Sequence, residues 1–454
     1  KEESRLPSVI NVAMDISKLK QEEESIEANL KNSSENPDRE ISLLRSLVIN
    51  LKAQNEILSA SDCKKPNEIE QTEESVDEVD SPFLIPTTTF EKFIPITTID
   101  NSKEGFNMLC IRPHPFFPDL VAIGGVNKCV VIYHATLKSG NQELGRIRFT
   151  APVLSMDFSP FHRGGLLVAG LMDGSTQVMS MDAKGSEEFH GIGNEAIEKR
   201  LNTLPVDLSE GISLQSSDVI HLKHSFKDHA KYVVRCKFSQ EGDYFATASH
   251  DKTVALYKIN YSDFNQSFQF EKLTKLFLPE AVESVEFVGG APSNEKRQLV
   301  IACREQCFLT YINLESENFE NTHVSINENV WDKHVSFTIM HLEASPDKRY
   351  ILAATDKARI IVYRVGKSSH IRTMVGHNSD AYFQPRATWT HDSKLIFTNS
   401  MGTPGLLAYC SASSRKLQWE GSHTGVIRDI FCHHKSRMLY TAAYDKTAKI
   451  FSYR

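Results

Sequence analysis

"TASHDKTVALY" at residues 247–257 is respelled almost letter for letter as "TAAYDKTAKIF" at 441–451, 194 positions further on. In each stretch small residues and an apolar run flank an Asp-Lys-Thr step, which reads as strand, tight turn, strand. The likeness continues upstream, where His229 lies 22 residues before Asp251 and His423 lies 22 residues before Asp445. Two anchors held at one separation point to an internal repeat.

Between His and Asp each copy holds two more strand-like runs: "YVVRCKF" (232–238) and "GDYFATAS" (242–249) in one, "VIRDIFC" (426–432) and "RMLYTAA" (437–443) in the other. With a fourth strand in the stretch before the next copy, the unit has the four strands and about 40–45 residues of a propeller blade. Here the sequence resembles the WD40-repeat family. Measured back from Tyr257, equivalent turn positions fall at Asn127, Asp173, Asp251, Glu305, Lys357, Thr403 and Asp445. Their separations are 46, 78, 54, 52, 46 and 42, so one interval carries an insertion, at about 183–221, with a short helix expected over Glu195 to Leu204.

The expected fold is therefore all-β, a seven-bladed WD40 β-propeller over 90–454. The chain ends at Arg454, straight after the third strand of copy seven. The apolar, β-branched segment "FEKFIPITTID" (90–100) is left over before copy one and is expected to supply the missing strand, leaving no open sheet edge.

The resemblance also implies a bracing network of His, Ser or Thr, Asp and Trp in each blade. Carried onto this sequence, copy three has His229, Ser249 and Asp251 with Tyr257 at the Trp place. Copy seven has His423 and Asp445, with Ala443 and Phe451 at the other two. A recurring His and Asp could suggest general-base chemistry, but repetition within a scaffold motif favours bracing.

The first 80 residues differ in kind, with 19 acidic and 10 basic side chains against a whole-chain net charge of −7. Residues 1–60 read as a helical segment. Ile41, Leu44, Val48, Leu51, Asn55 and Leu58 follow the 3 and 4 spacing of a coiled coil, with Asn55 at a position that can fix register in a homodimer. An amphipathic helix packed on a neighbour fits the same spacing. Residues 61–89 read as an acidic, disordered linker. Because the chain begins at Lys1, it is expected to be a piece of a longer protein.

No apolar run reaches the 18 or more residues of a membrane span. The eight cysteines stand mostly singly on expected strands, the pattern of reduced thiols in a cytoplasmic or nuclear protein. Constellations for chemistry are missing: "GIGNEA" (191–196) is no phosphate loop, Cys303 and Cys307 lack a second pair, and "CHH" (432–434) reads as a strand end entering a turn with solvated imidazoles. No metal or cofactor is expected, and an acidic chain without a basic, aromatic stripe argues against nucleic acid.

What remains is recognition. The resemblance implies binding of peptides or other proteins on the propeller face, through the residue before each turn position and those three and five after the His. These are Met172, His250, Arg304, Asp356 and Tyr444, then Tyr232, Val234, Asp380, Tyr382, Val426 and Arg428. The leading expectation is a non-enzymatic scaffold. Two alternatives stand beside it. One is a cullin-type ligase receptor, whose Trp-Asp-x-Arg motif would be matched only by Arg454 of "FSYR". The other is an enzyme with a site in the propeller mouth.

Overall fold

The computed structural model describes residues 93–453 except 102–104, 136–141, 163–164, 182–218, 262–267, 291–294, 328–332, 369, 380–382, 403–404, 418–422 and 434. The expected helices of 1–60, the linker of 61–89 and the short helix in the insertion lie outside the described residues.

Seven four-stranded antiparallel sheets make the blades. Their first strands are β2 (Met108–Pro113), β6 (Val153–Phe158), β10 (Val233–Phe238), β14 (Val282–Gly290), β18 (Ile339–Ala344), β22 (Ala387–Trp389) and β26 (Ile427–Cys432). Each lies beside the next, and β26 returns to β2, so the ring is closed. Closure comes from β1 (Phe93–Asp100), which pairs antiparallel with β28 (Thr447–Tyr453) from Phe93 opposite Tyr453 to Asp100 opposite Thr447. Pro95 has no N–H to give, and the register shifts there, as proline at a sheet edge requires.

In blade two, β8 (Thr176–Met181) pairs with β9 (Ile220–Phe226). Strand begins at Ile220, so the end of the expected 183–221 insertion belongs to the sheet. Middle strands are buried on both faces, as in β3 (Leu120–Gly125), because a blade packs against a neighbour on each side. Seven apolar clusters result, one between each pair of neighbouring blades. The last-to-first cluster joins Ile99, Met108, Val131, Tyr440 and Ile450. Contact is close enough that a Cβ on Gly170 would lie 2.5 Å from Val233 Cγ1.

The register of the second and third strands centres the turn on Asn127, Asp173, Asp251, Lys357 and Asp445. The following residue has positive φ in each: Lys128, Gly174, Lys252, Ala358 and Lys446. Two blades depart from the spacing. In blade four Cys303 and Phe308 flank a longer turn in which Glu305 itself has positive φ. In blade six the strands part at Asn399 and Leu406, so Thr403 falls within a six-residue connection.

Candidate functional site

The bracing network is wired differently from what the resemblance implied. His229 Nε2 lies 2.8 Å from Thr247 Oγ1, and its Nδ1 lies 2.9 Å from Thr253 Oγ1 and 3.4 Å from Asp251. His423 Nε2 lies 2.7 Å from Thr441 Oγ1. The hydroxyl that meets each His is thus two residues earlier than the Ser249 and Ala443 positions, one step back on the same sheet face. Ser249 Oγ instead accepts the Asp251 N–H at 3.1 Å and lies 3.0 Å from the Tyr232 carbonyl, locking the turn. Tyr257 donates to Asp228 at 2.7 Å and stacks on Phe245. Burial pushes the His229 pKa down despite Asp251, so the ring is neutral. The sequence did carry the signal, since Thr247/Thr441 and Thr253/Thr447 are identical in the two opening stretches.

The face that carries these turns is built on one repeated hydrogen bond. In six blades the N–H groups of Val126, Met172, His250, Arg304, Asp356 and Tyr444 donate to the carbonyls just before their own first strands, those of Asn107, Pro152, Tyr232, Ala281, Thr338 and Val426, whereas in blade six Asn399 donates to Arg386 and Met401 to Asn378, nine residues ahead of β22. Five of these six were singled out in the sequence, and Val126, which directly precedes the turn position Asn127, meets the same rule but was passed over.

A second ring lies inside the first. Six first strands shift register at one point, opposite Leu109, Leu154, Val234, Glu283, Met340 and Arg428. A bulge re-aims a side chain, and these residues line the mouth of the channel together with Tyr232, Gln384 and Arg386. Asp380 and Tyr382 lie outside the described residues. In blade six the mouth position belongs to Gln384, which accepts from Arg428 at 2.7 Å.

The face is divided by chemistry. Tyr444, Val126 and Met172 on blades seven, one and two are large exposed apolar side chains, 39 %, 47 % and 55 % accessible. Arg428 sits 5.2 Å above the Tyr444 ring. On blades three and four, Tyr232 stacks on His250 with ring centres 4.8 Å apart, and Glu283 accepts from Arg304 at 2.7 Å. Asp356 accepts the Thr338 N–H at 2.8 Å.

Below the mouth, channel side chains stitch blade to blade. Asp157 accepts from Phe238 N–H, Ser284 from Leu342 N–H, Glu343 from Trp389 N–H and Asp429 from Ile111 N–H, all at 2.9–3.0 Å. Blades one and three instead carry Arg112, Arg235 and Lys237, groups that can only donate. On the opposite face the channel widens to a cavity of about 380 Å³ lined by Arg112, Asp157, Lys237, Glu286, Glu343 and Lys348 among others. Burial lifts the Glu343 carboxyl to about 7.

Among the described residues no three His, Cys, Asp or Glu side chains gather as metal ligands, and no helix is long and apolar enough to cross a membrane. The "CHH" stretch departs from expectation: His433 is buried, its Nε2 lies 3.2 Å from the His114 carbonyl, and its Nδ1 accepts from Lys435 and Ser436 N–H.

Two stretches, residues 220–258 and 414–452, match the family described as WD domain, G-beta repeat. Each begins before the first strand of its blade, and the first starts on β9, the outer strand of the preceding blade. No curated protein matches the chain.

Proposed function

Because this chain is a WD40-repeat protein whose seven blades close into one ring, and such propellers commonly serve as protein-interaction scaffolds, we propose that it is a non-enzymatic scaffold binding a protein segment across the turn-bearing face. The observation that carries this reading is the adjacency of exposed Tyr444, Val126 and Met172 to a mouth rimmed by Leu109, Leu154, Tyr232 and Arg428. Aromatic and arginine side chains around an apolar anchor are what binding hot spots use, and an apolar arc beside a polar one gives a bound segment a direction.

Two further parts of the proposal rest on sequence. Residues 1–60 pair two chains, making a bivalent binder. The protein works in the cytoplasm or nucleus, in keeping with six buried free thiols among the seven described cysteines; burial pushes Cys303 up to about 12, which makes it an unreactive core group.

The test compares proteins retained from cell extract by the intact chain, by a Met172→Asp/Tyr444→Asp variant, and by Leu222→Asp. Leu222 is 48 % accessible on the outer strand β9, opposite Met179 and away from the turn-bearing end of the blade. The face variant is expected to lose a defined set that Leu222→Asp keeps. The reverse pattern would place the partner on the side of the ring and reject this reading.

A further inference from the structure

Three guanidinium groups and one carboxylate meet in the upper channel. Arg112 Nη1 lies 2.6 Å from Asp429 Oδ2, an oxygen that also accepts the Ile111 N–H. Arg386 Nε stands 3.9 Å from Asp429 Oδ1, beyond hydrogen-bond reach. Arg235 projects from β10 on the side of Lys237, two residues on, which strand alternation turns to the channel. It is 2 % exposed, and its Nε and Nη2 have no hydrogen-bond partner; Nε of Arg112 and of Arg386 make no hydrogen bond either.

Of the other neighbouring acids only Asp157 also reaches an arginine of the cluster, and the rest are engaged by other groups. Glu286 lies 2.8 Å from Lys237. Asp157 accepts from Phe238 N–H and stands 3.7 Å from Arg112 Nε. Glu343 accepts from Thr388 and Trp389, and Glu283 at the rim accepts from Arg304. Burial, and then the charge of Arg235, work against the proton on Arg386. A guanidinium keeps its proton nonetheless, so the strain stays in the channel as uncompensated positive charge, which is strongly unfavourable in a desolvated site.

We propose that the upper channel is an oxyanion site in which Arg112, Arg235 and Arg386 clamp a phosphate-, sulfate- or carboxylate-sized group, with Arg235 as the central donor. Planar guanidinium forks match the paired oxygens of such groups. Arg386 lines the space of about 60 Å³ at the upper mouth, and Arg112 lines the larger cavity below. The first is small, which selects a group of a few heavy atoms; Arg235 lines neither space but is near enough to Arg386 for its charge to act on that guanidinium. A free inorganic ion and the acidic side chain of a bound peptide present the same chemistry, and the site stands whether or not the outer face binds a protein.

The test is calorimetric titration of the intact chain at neutral pH and fixed ionic strength, using inorganic phosphate in one arm and acetyl-Ala-Glu-Ala-amide, with its Gln counterpart as control, in the other. The expected result is one saturable site for at least one probe, weakened about tenfold or more in Arg235→Met, a loss on the scale of a charge-assisted fork. In chloride alone, Arg235→Met is expected to unfold at the same temperature as the parent or higher, because an unpaired buried charge has been removed. Should that variant fail to fold, Arg386→Gln is expected to show the same weakening. Phosphate binding alone identifies a free ion, and Glu-peptide binding identifies an acidic side chain. Absence of both at about 10 mM, weaker than any useful affinity, or binding unchanged in the arginine variants, overturns the proposal.

Discussion

His423 Nδ1 sits 2.9 Å from an Asp445 carboxylate oxygen, whereas the matching nitrogen of His229 sits 2.9 Å from Thr253 Oγ1 and 3.4 Å from Asp251. The same residue identities thus meet with the nearer partner exchanged. In blade seven the carboxylate is the nearer one, with Thr447 Oγ1 at 3.2 Å, and it also accepts the Thr424 N–H at 3.0 Å. In blade three the threonine hydroxyl is the nearer one, while Asp251 accepts the Ala230 N–H at 2.8 Å.

Asp445→Asn should therefore cost about 1.5–3 kcal/mol, the range for hydrogen bonds to a charged group. Burial would raise the Asp445 carboxyl, but the bonds from His423 and Thr447 outweigh it and hold the pKa well below the ordinary value. A depressed carboxyl stabilises the fold above its unfolded pKa of roughly 4, and that stabilisation is lost as pH falls through the folded value. Urea unfolding at neutral and acidic pH should show a smaller acid loss in Asp445→Asn. A neutral-pH cost below about 0.5 kcal/mol would mean that the pair is ornamental.

A second pH response is centred on His377. It is 3 % exposed, and neither ring nitrogen has a partner. Burial, and then Lys416, bring its pKa down to about 4. The unfolded chain, with a value near 6.5, takes the proton first. His377 therefore costs nothing above about pH 6.5 and destabilises increasingly as pH falls toward 4, by about 3 kcal/mol at most. His377→Leu should flatten the fall in unfolding free energy over that window. An unchanged slope would assign the response to other buried imidazoles such as His341, whose pKa burial also lowers.

Ring closure makes a third prediction. Ile99 is 1 % exposed in the cluster that joins the last blade to the first, and Ile99→Ala should cost about 2–4 kcal/mol by leaving a cavity. A chain that begins at Asn101 should do worse. Without β1 the β28 edge is open, and open edges pair with other chains. Concentration-dependent scattering and a broadened thermal transition are expected. A sharp transition in a monomeric protein would show that three strands suffice for blade seven.

How much of this was legible follows from what repeats. The Tyr257 ruler found five turn centres because those blades share one three-residue connection, and the unused strand at 93–100 announced the closure. It slipped at Thr403, where the connection runs from Asn399 to Leu406, and Val126 was passed over although Asn127 was among the turn positions. The partner of His229 was misassigned because Ser249 and Thr247 project from the same face, and only the identity of Thr247 with Thr441 distinguished them. The channel arginines gave no signal at all, since Arg112, Arg235 and Arg386 stand in three different blades and meet only when the ring closes.

The last prediction concerns assembly. Ile41, Leu44, Val48, Leu51 and Leu58 keep coiled-coil spacing, with Asn55 at the position that can set register. If they pair two chains, the two propeller faces act together, and effective concentration raises the avidity of a bivalent target with no new contact. Light scattering over a range of concentrations should give a dimer for the intact chain and a monomer for one beginning at Ser81. Leu44→Asp with Leu51→Asp should return the intact chain to monomer while leaving the thermal transition of the propeller in place. A monomeric intact chain would reject pairing and leave residues 1–60 as a segment for docking on another protein, so the propeller would act as a single-site binder whose affinity rests on the Tyr444, Val126 and Met172 arc alone.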